Sequence, residues 1–404
     1  MLEEKARKNK DKVFLYFKDE KITYKELNDT CNRVGNGFLE LGVKKGENVC
    51  IMLPNSPEFL YTWFGLAKIG AAEVPVNTTY KGEFLRYNID NCDAKVMVIH
   101  NEFLERLKLI QQDLPKLEKV IIVDGGETAD LKFASTPYRD LFNYPAETPK
   151  VEVGEYDIEC ILYTSGTTGN PKGVMNSHGA LTNIGAEVAK YRGLTSEDIV
   201  YTAGPLFHGN AQWLATIPCL IADCSFAPGE RLSVSRFWDE IRKYNVTQFN
   251  FIGAMLTYIY KQPPREDDAD NPVKIAFGAP VPKDIYWEFG RRFNVKFVEA
   301  FGLTESGLIA WNLYHDPNPK IGSFGKVADG YEVRIVDDDD REVPPGVVGE
   351  IISRTTKPNL MMTGYYKMPE KTLEAFRNLW FHTGDYGFMD EDGYFTSLIE
   401  RRII

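Results

Sequence analysis

A loop rich in glycine and hydroxyl side chains carries the residues of this sequence best suited to chemistry. It reads YTSGTTGNPKG over residues 163–173 and follows the apolar run 158–162. The three glycines allow backbone N–H groups to converge on one anion, while the hydroxyls and a lysine add donors. This pattern predicts a phosphate-binding loop. The predicted phosphate ligands are Thr164, Ser165, Gly166, Thr167, Thr168, Gly169 and Lys172.

The loop differs from the Walker A phosphate loop. Gly166 and Lys172 do not have the G-x-x-x-x-G-K-[ST] spacing, and no hydroxyl residue follows the lysine. A flexible turn between two strands is the alternative for any short string of glycine and threonine. The choice between the two therefore depends on the rest of the chain.

Composition restricts the class of protein. A chain of 404 residues is too long for one ordinary core, so two or three lobes are expected. The formal net charge of -11 argues against a nucleic-acid binder, which needs a basic surface to displace counterions. An acidic protein can still bind ATP where local donors and Mg²⁺ supply positive charge.

Cysteine spacing and the first residues indicate the cellular compartment in which the protein works. The six cysteines have no C-x-x-C spacing, so neither a zinc site nor a disulfide framework is indicated. The first eight residues are charged, and no apolar run approaches 18 residues. We therefore expect a cytoplasmic protein without a transmembrane segment.

Strands and helices must position these residues, and their pattern changes twice along the chain. Residues 1–150 alternate strands with helices, and residues 151–321 repeat that pattern after the phosphate loop. Short alternating strands and turns occupy 322–395, and residues 396–404 follow them. Such a pattern predicts an α/β fold, with two doubly wound βα lobes and a small distorted β-barrel lobe. We expect the long connection 124–150 to lie on the surface.

Four further strings accompany the loop. They are VEAFGLTES at 298–306, FGAP at 277–280, WFHTGD at 380–385 and ERR at 400–402. Taken singly, such strings are more often ordinary turns and helix caps. Together with the phosphate loop, in this order, they resemble the AMP-forming, adenylate-forming superfamily of acyl-CoA synthetases, adenylation domains and luciferases. The resemblance spans nearly the whole chain.

The resemblance implies a role for each string, and each role has a chemical reason. An aromatic ring at Phe301 can stack on adenine, and a carboxylate at Asp385 can accept hydrogen bonds from ribose hydroxyls. Glu305 offers Mg²⁺ a hard oxygen ligand. The implied adenine and ribose ligands are Gly278, Ala279, Pro280, Glu299, Ala300, Phe301, Gly302, Thr304, Asp385 and Arg401. The implied catalytic residues are Lys172, His208, Thr304 and Glu305.

The implied reaction is activation of a carboxylic acid by ATP. The carboxylate attacks the α-phosphorus, pyrophosphate leaves, and the thiol of CoA then attacks the acyl-adenylate. Positioning and stabilisation of charge on the phosphate oxygens would supply most of the catalysis. The implied substrates are ATP, CoA and an organic acid, with Mg²⁺ as the metal. The sequence does not decide whether the protein forms a homodimer.

The segments that the resemblance places around the acid are mostly apolar and aromatic, which suits a fatty or aryl acid. Their aromatic side chains could instead enclose a quaternary ammonium, and the texture resembles the crotonobetaine/carnitine-CoA ligase branch. An ordinary core position is the alternative for each aromatic. The implied pocket residues are His208, Gly209, Trp213, Phe251, Phe277, Gly307 and Trp311.

Other functions share these motifs. A carrier-protein-loading adenylation domain would usually place an aspartate near Phe207 or His208, and none is found there. A luciferase-like oxygenase and a non-catalytic nucleotide or acid-binding remnant stay open. The resemblance also implies that a hinge starts at 396–404 and that a small C-terminal domain, absent from these 404 residues, would follow it. We therefore expect this chain alone to bind ATP and acid but to be impaired in the thioester step.

Overall fold

The fold is described here from a computed structural model that covers residues 1–164, 170–313 and 319–400, with backbone alone for the last two residues. Its strands follow the predicted runs of alternating or continuous apolar residues. They are β1 (Val13–Phe17), β2 (Glu20–Thr23), β3 (Asn48–Met52), β4 (Ala72–Pro75), β5 (Val96–His100), β6 (Lys119–Val123), β7 (Ala134–Pro137), β8 (Ile158–Thr164), β9 (Lys172–Ser177), β10 (Ile199–Thr202), β11 (Ser225–Pro228), β12 (Gln248–Ile252), β13 (Ile275–Ala279), β14 (Lys296–Leu303), β15 (Gly307–Asn312), β16 (Lys326–Val327), β17 (Tyr331–Val336), β18 (Gly349–Thr355), β19 (Gly364–Tyr365), β20 (Phe381–Met389) and β21 (Phe395–Glu400).

Helices alternate with these strands through the first three quarters of the chain. The α-helices are α1 (Leu2–Lys8), α2 (Tyr24–Glu40), α3 (Pro57–Lys68), α4 (Gly82–Asn91), α5 (Leu104–Lys108), α6 (His178–Tyr191), α7 (Gly209–Ala211), α8 (Ile217–Ala222), α9 (Phe237–Lys243), α10 (Gly253–Tyr260), α11 (Tyr286–Phe293) and α12 (Pro369–Ala375). Short 3₁₀ turns occupy Asn101–Phe103, Gln111–Asp113, Tyr138–Asn143 and Arg377–Leu379, and a π-helical turn occupies Gln212–Thr216. Within the described residues, no helix combines the length and the apolar character needed to span a membrane.

Local sequence signals explain where the helices begin. Thr23 accepts the Glu26 backbone N–H at 3.1 Å, and the Glu26 carboxylate accepts the Thr23 N–H at 2.8 Å. This capping box satisfies two N–H groups that the first turn of α2 would otherwise leave unpaired. The helix therefore begins at Tyr24, directly after its cap, and it ends at Glu40.

Three sheets organise the described strands. The nine-stranded sheet has the order β16-β15-β14-β13-β12-β10-β11-β1-β2, and the eight-stranded sheet has the order β19-β9-β8-β4-β3-β5-β6-β7. Both are parallel at their centres and antiparallel at one or both edges, as the alternation of strands and helices predicts. The four-stranded sheet, β17-β18-β20-β21, is antiparallel and lies where the β-rich lobe was expected.

The predicted boundary near residue 150 does not separate the two large sheets. The hairpin β1–β2 comes from the first predicted lobe but joins the nine-stranded sheet, where Leu15 pairs with Phe226. The hairpin β8–β9, which flanks the phosphate loop, was assigned to the second lobe but joins the eight-stranded sheet beside β4. Apolar periodicity identifies a strand, but pairing with strands distant in sequence decides which sheet it joins.

The connection 124–150 is also more than a surface loop. It contributes β7 and a 3₁₀ turn in which Tyr138 and Leu141 are buried. The Tyr138 hydroxyl lies 3.0 Å from that of Thr62 in α3. The polar composition of the connection concealed these two buried side chains.

Candidate active site

A cleft of about 400 Å³ opens at the carboxyl ends of β13 and β14 in the nine-stranded sheet. Ligands of open α/β sheets usually bind at this edge, because the loops that leave parallel strands diverge there. The cleft is lined by Ile184, His208, Gly209, Asn210, Trp213, Leu214, Phe277, Gly278, Ala279, Pro280, Ala300, Phe301, Gly302, Leu303, Thr304, Gly307, Leu308 and Phe324.

Two sets of predicted residues meet in this cleft although separate motifs supplied them. The adenine motifs contribute the turn after β13 and the end of β14, while the implied acid pocket contributes residues from α7 and from the start of β15. The predicted residues brought together here are His208, Gly209, Trp213, Phe277, Gly278, Ala279, Pro280, Ala300, Phe301, Gly302, Thr304 and Gly307.

Phe301, the predicted adenine platform, is half-buried and shares the cleft wall with Phe324. Their ring centroids are 5.1 Å apart with an interplanar angle of 35°. An aromatic ring can stack on a planar base only if one face stays accessible, and partial burial of Phe301 allows this. Phe324 was not predicted, because it belongs to none of the recognised strings.

Two glycines let the backbone come close at the cleft. A Cβ on Gly278 would lie 2.1 Å from the Phe251 carbonyl oxygen, and one on Gly302 would lie 1.9 Å from that of Gly307. Real Cβ atoms do not approach backbone oxygens so closely, so both positions require glycine. The two glycines therefore allow adjacent strands to lie close together at the ends that form the cleft.

His208 caps the short helix α7 at the mouth of the cleft. Its Nδ1 accepts the Asn210 backbone N–H at 3.1 Å, so the proton of the neutral ring lies on Nε2. Loss of water around the ring lowers the pKa of His208 below its ordinary value. A neutral imidazole that lines the cleft can donate one hydrogen bond to an acid group there.

Glu299, implied as an adenine or ribose ligand, does not line the cleft. It is only 2% exposed, and its Oε1 accepts the Val281 backbone N–H at 2.8 Å. Burial raises the pKa of Glu299 to about 7. Its side chain thus fixes the residue that follows Pro280, so its contribution to the cleft is indirect.

Of the four aromatic residues implied for the acid pocket, only Trp213 and Phe277 line the cleft. Phe251 packs on Phe297 in the core of the nine-stranded sheet, with ring centroids 5.9 Å apart. Trp311 is stacked behind Phe277 at 5.5 Å, with Tyr191 on its other face at 4.7 Å. Neither Phe251 nor Trp311 is among the described residues that line the cleft, so both occupy core positions.

A buried arginine, which no sequence motif indicated, supports this cleft wall from behind. The Arg192 guanidinium lies 4.8 Å from the Phe277 ring centroid and donates to Gln248 Oε1 at 3.0 Å and Asn250 Oδ1 at 2.8 Å. Burial lowers the pKa of Arg192 to about 10, which still leaves it charged at neutral pH. Arg192 directly follows α6, so its contacts tie that helix to β12 and to the cleft wall.

Lys172 and Glu305 lie on either side of one tyrosine. Lys172 Nζ donates to the Tyr365 hydroxyl at 2.9 Å, and that hydroxyl donates to Glu305 Oε1 at 2.9 Å. Burial, followed by the Glu305 charge, raises the pKa of Tyr365, so the phenol stays protonated. Glu305 is 8% exposed and follows Thr304 of the cleft. A carboxylate oxygen beside an ammonium and a hydroxyl is a donor set that fits Mg²⁺ and phosphate together.

The other predicted ligands are placed elsewhere or lie outside the described residues. Asp385 lies in β20, where its backbone N–H donates to Thr383 Oγ1 at 3.0 Å, and it does not line the cleft as described. Thr164 ends β8 beside Lys172. The predicted ligands outside the described residues are Ser165, Gly166, Thr167, Thr168, Gly169 and Arg401.

Known proteins resemble this chain over most of its length. A sequence model of the family described as AMP-binding enzyme matches residues 2–366. A crotonobetaine/carnitine–CoA ligase of Salmonella agona (strain SL483) is 33% identical over 408 aligned residues, which cover 97% of this chain and 77% of that protein.

Solved structures give the same result at the level of the fold. An anthranilate CoA ligase in complex with anthranoyl-AMP superposes with a TM-score of 0.90 at 26% identity, over 98% of this chain and 76% of that one. The inhibitor-bound N-terminal domain of FACL13 from Mycobacterium tuberculosis has a TM-score of 0.88 at 25% identity, over 99% and 98% of the two chains. The predicted fold class and the family resemblance are confirmed.

Proposed function

The chain belongs to the AMP-binding enzyme family as an adenylate-forming acyl-CoA ligase, and from this premise we propose which acid it activates and which residues act. The cleft at β13 and β14 would hold the adenine, the α-phosphate and the acid. The observation that supports this most is the meeting of the adenine and acid segments in that one cleft.

Each step has a group of this chain to support it. Phe301 would stack on the purine, and the neutral imidazole of His208 would orient the acid carboxylate. Lys172 and the hydroxyl of Thr304 would stabilise charge on the phosphate oxygens, which is the main demand of in-line phosphoryl transfer. Glu305 would hold Mg²⁺, which when bound neutralises phosphate charge. The narrow strand ends at Gly278 and Gly302 would exclude water around the reacting groups.

The acid is a small one with an apolar or aromatic body. None of the described residues that line the cleft is Asp, Glu, Lys or Arg, and Trp213 and Phe277 present aromatic surface. Such walls favour burial of a carbon skeleton and offer no ionic partner to a charged tail. This also disfavours an amino acid, whose ammonium needs a carboxylate.

A betaine is the second candidate for the acid. The Salmonella agona relative is a crotonobetaine/carnitine–CoA ligase, and a quaternary ammonium can be bound by aromatic faces without a carboxylate. Two rings, Trp213 and Phe277, remain available for such a contact. This is less aromatic surface than four rings would provide.

Acid-dependent exchange of labelled pyrophosphate into ATP tests the proposal. We expect exchange with a medium-chain fatty acid or a benzoate-type acid, weaker exchange with crotonobetaine, and none with amino acids. Glu305→Gln should lower the exchange by about 100-fold, as expected for lost stabilisation of phosphate charge.

The exposed Glu391 provides the control, because Glu391→Gln removes one charge in the turn between β20 and β21, outside the residues that line the cleft. Exchange that depends equally on both glutamates would contradict the assignment of Glu305. Exchange with amino acids alone would contradict the assignment of the acid.

A further inference from the structure

One tyrosine joins two charged groups that the proposed function uses. Tyr365 accepts a hydrogen bond from Lys172 Nζ at 2.9 Å and donates one to Glu305 Oε1 at 2.9 Å. The ammonium also lies 4.0 Å from the centroid of the Tyr365 ring. The hydroxyl of Tyr365 therefore contacts both Lys172 and Glu305, and its ring contacts the Lys172 ammonium. These are two of the groups that would bind MgATP.

The fold fixes Tyr365 independently of any ligand. Its strand β19 pairs with β9, so that Tyr365 lies opposite Val174, two residues beyond Lys172. Its backbone N–H donates to Thr372 Oγ1 at 2.9 Å, and its side chain is 4% exposed, packed with Val174 and Phe381. A side chain held in this way gives its hydroxyl one position.

The turn that carries Glu305 is held by the same segment. The Glu305 carbonyl accepts the Met362 backbone N–H at 2.8 Å, three residues before Tyr365. Backbone and carboxylate of Glu305 are thus both bonded to residues 362–365. This anchors the turn between β14 and β15 to the sheet that carries Lys172.

We propose that Tyr365 is a positioning residue that orients the Glu305 carboxylate toward the metal of the bound nucleotide and holds Lys172 beside it. The inference rests on the proposed function, in which Glu305 holds Mg²⁺. A hydroxyl bonded to Oε1 restricts rotation of the carboxylate and leaves Oε2 for the cation. Hydrogen-bond partners that orient metal ligands in this way commonly contribute 10–100-fold to metal affinity, roughly.

The test measures binding of Mn²⁺ to the protein with ATP, by electron paramagnetic resonance and without any acid, so that no turnover is required. Tyr365→Phe keeps the ring and removes the hydroxyl. We expect the Mn²⁺ concentration at half-saturation to rise about 10-fold. The matched control is Tyr366→Phe, which removes the neighbouring hydroxyl that bonds Asp93 Oδ2 at 2.9 Å. This control should leave Mn²⁺ binding unchanged.

A double-mutant cycle separates positioning from a general structural effect. If Tyr365 acts through Glu305, then Tyr365→Phe has no further effect on Mn²⁺ half-saturation in a Glu305→Gln background. Thermal unfolding of every variant shows whether each is folded at the assay temperature. A variant that unfolds is measured below its midpoint.

The outcomes distinguish this inference from the proposed function. If Glu305→Gln weakens Mn²⁺ binding and Tyr365→Phe behaves like Tyr366→Phe, the inference is overturned and the proposed function stands. Additive effects of Tyr365→Phe and Glu305→Gln also overturn it. If Glu305→Gln binds Mn²⁺ with ATP as the unaltered protein does, both the metal assignment of Glu305 and the inference fail.

Discussion

At the scale of single residues, two buried glutamates lie close together in the eight-stranded sheet. Glu73 in β4 and Glu159 in β8 are 0% and 4% exposed, and one ligand atom from each lies with the Cys160 thiol within 4.8 Å. Trp63 Nε1–H donates to one oxygen of Glu159, but both oxygens of Glu73 and the other of Glu159 have no hydrogen-bond partner. Burial raises the pKa of Glu159 to about 8, and burial together with the Glu159 charge raises the pKa of Glu73 well above its ordinary value.

Replacement of Glu159 by glutamine tests the consequence for stability. A carboxyl whose pKa rises on folding, here from 4.5 to about 8, makes the folded state lose stability as pH rises through that window. Glu159→Gln stays neutral and still accepts from Trp63. We expect the decline of the thermal unfolding midpoint between pH 5 and pH 8.5, roughly the window of the shift, to become shallower in this variant.

The exposed Glu152, in the stretch that precedes β8, provides the control for Glu159. Glu152→Gln should leave the pH profile of the midpoint unchanged. Identical profiles for Glu159→Gln and the unaltered protein would show that the buried carboxyl does not titrate in this range.

At the scale of elements, strand ends set the width of the cleft. Phe251 in β12 pairs with Gly278 in β13, and the absent Cβ of Gly278 allows the Phe251 carbonyl to come close. Gly278→Ala would force the two strands apart, because neither backbone can yield without loss of pairing. We expect a loss of stability of about 1–3 kcal/mol and a fall in pyrophosphate exchange greater than the fall in the folded fraction.

Gly154→Ala is the matched substitution for Gly278. A Cβ there would meet only Asp157 Oδ2, at an ordinary contact distance of 3.7 Å. We expect this variant to keep both its stability and its exchange activity. If Gly278→Ala exchanged pyrophosphate as fast as Gly154→Ala, the strand spacing would not limit the reaction.

At the scale of the whole molecule, the two large sheets are joined by a shared apolar core and by the hydrogen bonds of one buried asparagine. The largest apolar cluster contains Val49 and Ile51 from the eight-stranded sheet and Val200 and Phe226 from the other. Asn55, three residues after β3, donates to the Gly204 and Gly229 carbonyls at 2.9 and 2.8 Å and accepts the Leu206 N–H at 2.7 Å. These partners follow β10 and β11, so Asn55 joins the carboxyl ends of strands in both sheets.

Asn55→Ala should destabilise the molecule and disturb the cleft together. The substitution leaves three backbone groups without a hydrogen-bond partner. Each of them that water cannot reach lowers the free energy of unfolding by about 1–3 kcal/mol. Because Leu206 begins the turn that carries His208, we expect both the thermal midpoint and acid-dependent exchange to fall. Asn143→Ala, at an exposed asparagine, is the control for a lost amide. An unchanged midpoint for Asn55→Ala would show that the apolar core alone holds the sheets together.

The sequence by itself determined the elements, the fold class and the family, because these depend on local apolar periodicity and on contiguous strings such as those at 163–173 and 298–306. It also identified most residues of the cleft. The phosphate-loop and ribose assignments of Thr167, Asp385 and Arg401 stay predictions.

Only the tertiary structure decided which sheet each hairpin joins and which side chains are buried behind the cleft wall. Phe251 and Trp311 belong to aromatic clusters of the core rather than to the cleft surface, since burial depends on packing partners far away in sequence. Tyr365 meets Lys172, 193 residues away in sequence, only because β19 pairs with β9. Long-range pairing of this kind leaves no periodic signal in the sequence.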